Sequence, residues 1–230
     1  MRGTGGRGRA VPYAAWLAQP GYLAAEVLLA LLAGVRYSLA DDTISALGTG
    51  CSSPAASGCS SAPWAMNVVF VVFGALQALG ATPLLRTGTP RERVVGWLWV
   101  VAGTFSVGVG LAPVDAHPTL HSVVALPVFV AQPLALLLHA RWLATGRIRV
   151  VGTALGVAAV LGAVTFAVLL GADHWSGAAE RLAIWPAKLW LPLAAPLAAL
   201  RSRRLPVPAG PAPARPGGRP PANPPTAPGR

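Results

Sequence analysis

The sequence predicts an all-α membrane protein, a six-transmembrane-helix bundle with both termini cytoplasmic. Three observations lead there. Six apolar stretches each supply the ~20 residues needed to cross a bilayer core. The 230-residue chain is 54% hydrophobic and only 11% charged, too apolar and charge-poor for an ordinary soluble domain. Finally, the charges sort by sign along the chain. Lys and Arg total 18, and fifteen of them fall in the N-terminal segment (Arg2, Arg7, Arg9), the second and fourth loops (Arg86, Arg91, Arg93; Arg141, Arg147, Arg149) and the C-terminal tail (Arg201, Arg203, Arg204, Arg215, Arg219, Arg230). Five of the seven acidic residues (Asp41, Asp42, Asp115, Asp173, Glu180) lie in or beside the first, third and fifth loops. Lys and Arg are retained on the cytoplasmic side, so the odd loops are expected to face outward.

The elements follow in order. Residues 1–12 form a basic cytoplasmic segment rich in Gly and Arg, and residues 13–200 the membrane domain. Segment one runs from about Tyr13 to Tyr37. Ser38-Leu39-Ala40 has cleavage-site spacing, but the apolar run is too long for a signal peptide and holds Glu26, so it is read as retained. Segment two spans about Pro63 to Leu85, segment three Val94 to Pro113, and segment four Leu120 to Leu143. Segment five covers Val150 to Gly171 and segment six Arg181 to Leu200. Short connections make consecutive helices antiparallel neighbours. Ser106 with Gly110, and Gly152 with Gly156, are small-xxx-small steps suited to close helix packing. Tryptophans 16, 64, 142, 175, 185 and 190 read as an interfacial belt. Residues 201–230, rich in Pro and Arg, cannot bury a core and are expected to be a disordered cytoplasmic tail, with any protein partner left open.

A formal net charge of +11 would suggest nucleic acid in a soluble protein. Here the arginines flank apolar segments, where they hold topology and meet anionic lipid, so membrane lipids and not nucleic acid are the expected partners. Cys51 and Cys59 lie in one short outward loop and are expected to form a disulfide that tightens it. No motif calls for a cofactor.

Candidate chemistry concentrates in two places. The third loop carries Asp115, His117 and His121. The spacing of the two histidines resembles an i, i+4 metal pair, but Pro118 pushes His117 out of the helix, so no metal is expected; a hydrogen-bonded pair of Asp115 with one of these histidines, tying helices three and four together, is expected instead. With Asp42, Ser45, Asn67 and Glu180, these residues form a candidate ligand-binding cluster above the bundle, and Lys188 is a further ligand-binding candidate. The cluster would suit a lipid head group; alternatively, Asp42 or Thr43 caps a short helix there and Glu180 with Arg181 opens segment six. Deeper in the membrane, Glu26 near the midplane and Lys188 are expected to pair. Asp115, His121 and Glu26 are the catalytic candidates.

The run from Tyr37 to Gly48 (YSLADDTISALG), the paired cysteines, Asn67 and Gly74, the run from Gly108 to Asp115 (GVGLAPVD), His121 and Glu180-Arg181 occur in an order that resembles the bacterial integral-membrane proteins grouped as domain-of-unknown-function family 998. The likeness covers about Trp16 to Leu200. It implies a six-helix membrane protein without an assigned activity, with Ser45, Asn67, Asp115 and His121 as its polar positions. Ala46 departs from the pattern, since an Asp often stands there. The general plan is also similar to eukaryotic six-helix proteins linked to lipid remodelling.

The expected function is binding or handling of lipid at the outer face of a bacterial cytoplasmic membrane. One alternative is a small intramembrane enzyme on a lipid or isoprenoid substrate, such as a terpene cyclase using a buried acid. The other is a proton-coupled transporter using Glu26, Gln77 and Gln132. No Gly-x-Ser-x-Gly elbow or His-Glu-x-x-His pair points to hydrolysis.

Overall fold

Prolines set most of the helix starts. In the computed structural model, which describes residues 7–33, 37–52, 58–171 and 174–204, α2 (Pro20–Ala33), α3 (Pro63–Thr87), α4 (Pro90–Leu111) and α5 (Pro118–Leu143) each begin on a proline. Proline suits the first helical position, because its missing N–H would have no intrahelical partner there. α1 (Arg7–Leu17), α6 (Gly146–Val168) and α7 (Ser176–Arg204) complete the set. At α4 the Thr89 hydroxyl accepts from the Glu92 amide, and the Glu92 carboxylate accepts from the Thr89 amide at 2.6 Å, a reciprocal capping box. This local role accounts for an acidic residue at the arginine-rich end. Within α3, Pro83 deprives the Leu79 carbonyl of its helical donor, and the Thr82 hydroxyl supplies one at 2.8 Å.

Segment one is not the single helix expected. It breaks at Ala18–Gln19, since a residue preceding proline is driven from the α region. Gln19 turns its side-chain amide onto the Phe73 carbonyl at 3.1 Å, and the Trp16 indole donates to the Gln77 carbonyl at 3.0 Å, so α3 spans the break. Together α1 and α2 still make one stretch, Val11–Ala33, long and apolar enough to cross a membrane; α3, α4, α5 and α6 also qualify. α7 covers the sixth expected segment and carries Glu180, Arg181 and Lys188 buried. The architecture is an all-helical, multi-pass bundle. Consecutive helices pack as neighbours, and α7 closes the ring against α1 and α2. Residues 205–230, which include most of the expected tail, and Asp173 lie outside the described residues.

The core has two halves. Towards the arginine-rich loops, Trp16, Trp99 and Trp190 are fully buried. They surround His139, whose Nδ1 accepts from the Trp99 indole at 3.2 Å. Trp16 and Trp190 are therefore core residues and not part of a belt, whereas Trp64 and Trp175 are exposed as a belt requires. His139 has no signal in its local sequence. Towards the other end, Tyr22, Ile44, Leu47, Met66 and Phe70 pack together.

Small residues let the helices meet. A Cβ on Gly103 would come 2.5 Å from the Gly74 carbonyl oxygen, and one on Gly110 would collide with the Asn67 carbonyl, so α3 and α4 cross backbone to backbone. Gly156 lies against Leu137 of α5 in the same way. Gly103→Leu is therefore expected to lower stability by about 1–3 kcal/mol through overpacking. Val164→Ala, at an exposed position of α6, should stay within about 0.5 kcal/mol. Thermal unfolding in detergent followed by circular dichroism measures both.

Candidate functional site

The segment after α2 cannot form a long helix, because Asp41, Asp42 and Thr43 offer side-chain acceptors to nearby amides. The Asp42 carboxylate accepts from the Ser38 amide at 2.7 Å. The Thr43 hydroxyl accepts from the Ala46 amide at 3.2 Å and caps a short 3-10 turn, Ile44–Gly48. This turn plugs the end of the bundle that carries the first, third and fifth loops, with Ile44 and Leu47 fully buried.

Four candidate residues from four different elements hold this turn and the residue pair that follows it. The Glu180 carboxylate accepts from the Ile44 amide at 2.5 Å, at the start of the turn. His121 Nε2 lies 3.0 Å from the Ser45 hydroxyl. The Asn67 amide donates to the Gly48 carbonyl at 3.0 Å. The Asp115 carboxylate accepts from the Gly50 amide at 3.1 Å. Beyond Gly50, Cys51 and Cys59 are joined in a disulfide, and Ser60 pairs back onto this strand-like edge through the Thr49 carbonyl.

Arg181, next to Glu180, points another way, because adjacent helical residues diverge by about 100°. It is only 5% exposed. Its Nη1 donates to the Leu39 and Asp42 carbonyls at 2.7 and 2.8 Å, and its Nη2 donates to the Tyr37 hydroxyl. Its Nε lies 2.9 Å from Glu26 Oε1, an ion pair with both partners buried. The Trp185 indole donates to the second Glu26 oxygen at 2.8 Å. Burial pushes the Tyr37 phenol above its ordinary value, so it remains a neutral donor to the Thr43 carbonyl at 2.8 Å. At the surface of the loop end, the Trp175 amide and the Ser38 hydroxyl hold the exposed Asp41 carboxyl below the usual range.

Two expected pairings are corrected. Glu26 does not meet Lys188. α2 and α7 are antiparallel in a register that sets Glu26 level with Arg181 and Trp185, while Lys188 falls one or two turns deeper, beside Tyr22. Lys188 Nζ donates to Gln77 Oε1 at 2.7 Å and sits 4.9 Å from the Tyr22 ring centre. Nor does His121 pair with Asp115. α5 starts at Pro118, which turns His121 into the bundle, where its Nδ1 lies 2.8 Å from the Ala112 carbonyl; Asp115 stays in the loop and faces Gly50. His117 precedes α5, exposed and without a side-chain capping bond, apart from the cluster. Among the described residues no three His, Cys, Asp or Glu converge as metal ligands. Asp42 and Ser45 do join the cluster; Tyr37, which links Arg181 to the turn, was not singled out by the sequence.

Removing one partner of a buried ion pair strands the other charge. Arg181→Met is expected to cost about 3–5 kcal/mol, and the double change with Glu26→Gln to recover part of that loss. Unfolding midpoints of the two single variants and the double variant in detergent give the coupling.

No curated protein and no solved structure matches the chain. A family model described as protein of unknown function (DUF998) matches residues 16–196. That span holds every helix of the bundle in whole or in part, together with the whole loop-end cluster. The chain belongs to the DUF998 family.

Proposed function

We propose that the protein binds a membrane lipid at the loop end of the bundle, with the acyl chain lying along α7. The observation that carries this reading is an open groove of about 500 Å³ bordered by Leu39, Ala40, Ala178, Leu182, Trp185 and Leu189. From Ala178 to Leu189 it follows α7 for roughly 16 Å, at 1.5 Å per residue. Its walls are apolar, and Arg181 and the Asp41 loop lie at its polar end, a combination that suits an amphiphile. The placement of the arginines supports an orientation with this end outside a bacterial cytoplasmic membrane. The Cys51–Cys59 disulfide is chemically suited to the same side. Glu26, engaged through both oxygens, serves as a fixed counter-ion, which favours binding over a buried-acid cyclase or a proton path.

Native mass spectrometry of the detergent-purified protein is expected to show a co-purified lipid. Ala178→Trp, which fills the groove, should remove it, while Leu161→Trp on the exposed face of α6 should not. A filled groove that still carries the lipid contradicts the reading. A reporter fused after Arg230 should be active only on the cytoplasmic side; activity outside would invert the proposed orientation.

A further inference from the structure

The hydrogen bonds around His121 fix its chemistry. The Ala112 carbonyl can only accept, so Nδ1, 2.8 Å away, carries a proton. In the neutral ring Nε2 is then an acceptor, and the group 3.0 Å from it is the Ser45 hydroxyl. Ser45 therefore donates to an imidazole whose tautomer and orientation are set from behind by a third group. That is the arrangement of an activated nucleophile, recognised by geometry and not by sequence motif. A second acceptor waits on the other side: Glu180 Oε1 is 3.5 Å from the Ser45 oxygen. When the ring takes a proton, Nε2 becomes a donor to Ser45.

The pair also borders a small internal chamber. Ser45 is only partly buried and lines a chamber of about 30 Å³ within the bundle, walled by Phe70, Val109, Val128 and Phe129. That volume holds one or a few waters. Glu180 borders the same chamber.

The geometry points to Ser45 as a nucleophile activated by His121, acting on the acyl ester of a lipid. The substrate class rests on the lipid-binding reading above; the nucleophile does not. Ser45 Oγ attacks the ester carbonyl carbon as its proton passes to His121 Nε2. The tetrahedral intermediate collapses, the bond to the alcohol oxygen breaks, and the departing alcohol takes the proton from Nε2. Water then attacks the acyl-serine and gives a proton to Nε2; that proton returns to Ser45 Oγ as the fatty acid leaves.

An alkyl fluorophosphonate, which phosphonylates activated serines and releases fluoride, tests the nucleophile without knowledge of the lipid. Incubated with the full chain in micelles, it is expected to add to Ser45, as read by peptide mass spectrometry. Ser45→Ala should abolish the adduct at that peptide. His121→Gln should slow labelling on the order of a hundredfold with the unfolding midpoint retained. Absence of a Ser45 adduct on folded protein overturns the proposal, as does an unchanged rate in His121→Gln. If that variant does not fold, the wild-type labelling rates decide: faster labelling at Ser45 than at the exposed Ser122 hydroxyl, which donates to the Pro118 carbonyl, supports the proposal, and equal or slower labelling at Ser45 overturns it. Labelling at Ser45 without any co-purified lipid would sink the lipid reading alone, and lipid without labelling would sink the nucleophile alone.

Discussion

The buried guanidinium of Arg181 draws on three parts of the chain: Glu26 on α2 balances its charge, and the Tyr37 hydroxyl and the Leu39 and Asp42 carbonyls accept from its Nη atoms. Water is scarce at this depth, so the acceptors must come from protein, and supplying them draws the chain after α2 across the start of α7. With that strand in place, the Ile44 amide meets Glu180 and Ser45 comes within reach of His121. The position of the loop-end cluster thus follows from neutralising one charge.

The two halves of the bundle meet different demands. At the arginine-rich end, large aromatic rings fill the space between helices, with His139 packed among three tryptophans and accepting from one of them. At the other end, side chains grip a turn that has little regular structure of its own. Between them, Gly74, Gly103 and Gly110 bring α3 and α4 close enough for backbone contact. Within a membrane, where apolar burial alone does not drive helices together, such contact and polar gluing carry the association.

The all-helical class and the six apolar segments were legible in the sequence because apolar run length and proline position are local properties. The break before Pro20 was also written locally, but the apolar composition runs straight through it and hides it. Which polar residues meet was not legible. Glu26 and Lys188 are both rare intramembrane charges, and their pairing depended on a helical register that no local pattern records. His121 and Asp115 are close in sequence, yet the turn at Pro118 sends them to different neighbours. Ser45 and His121 are 76 residues apart, and only the folded chain brings them together. The likeness carried by the ordered motifs did mark Ser45, Asn67, Asp115 and His121 as a set, and all four converge on one short segment.

The grip on the 3-10 turn has a consequence for how the chain matures. Glu180 and Arg181 sit at the beginning of the final helix, 135 residues or more from most of the loop atoms that they hold. Contacts of such sequence separation close late, because the intervening loop must first be ordered. As synthesis proceeds, α2 through α6 are made while Ser45 still lacks half of its surroundings. A nascent chain arrested before α7 would hold its earlier helices but lack the Glu180 and Arg181 contacts that fix the turn.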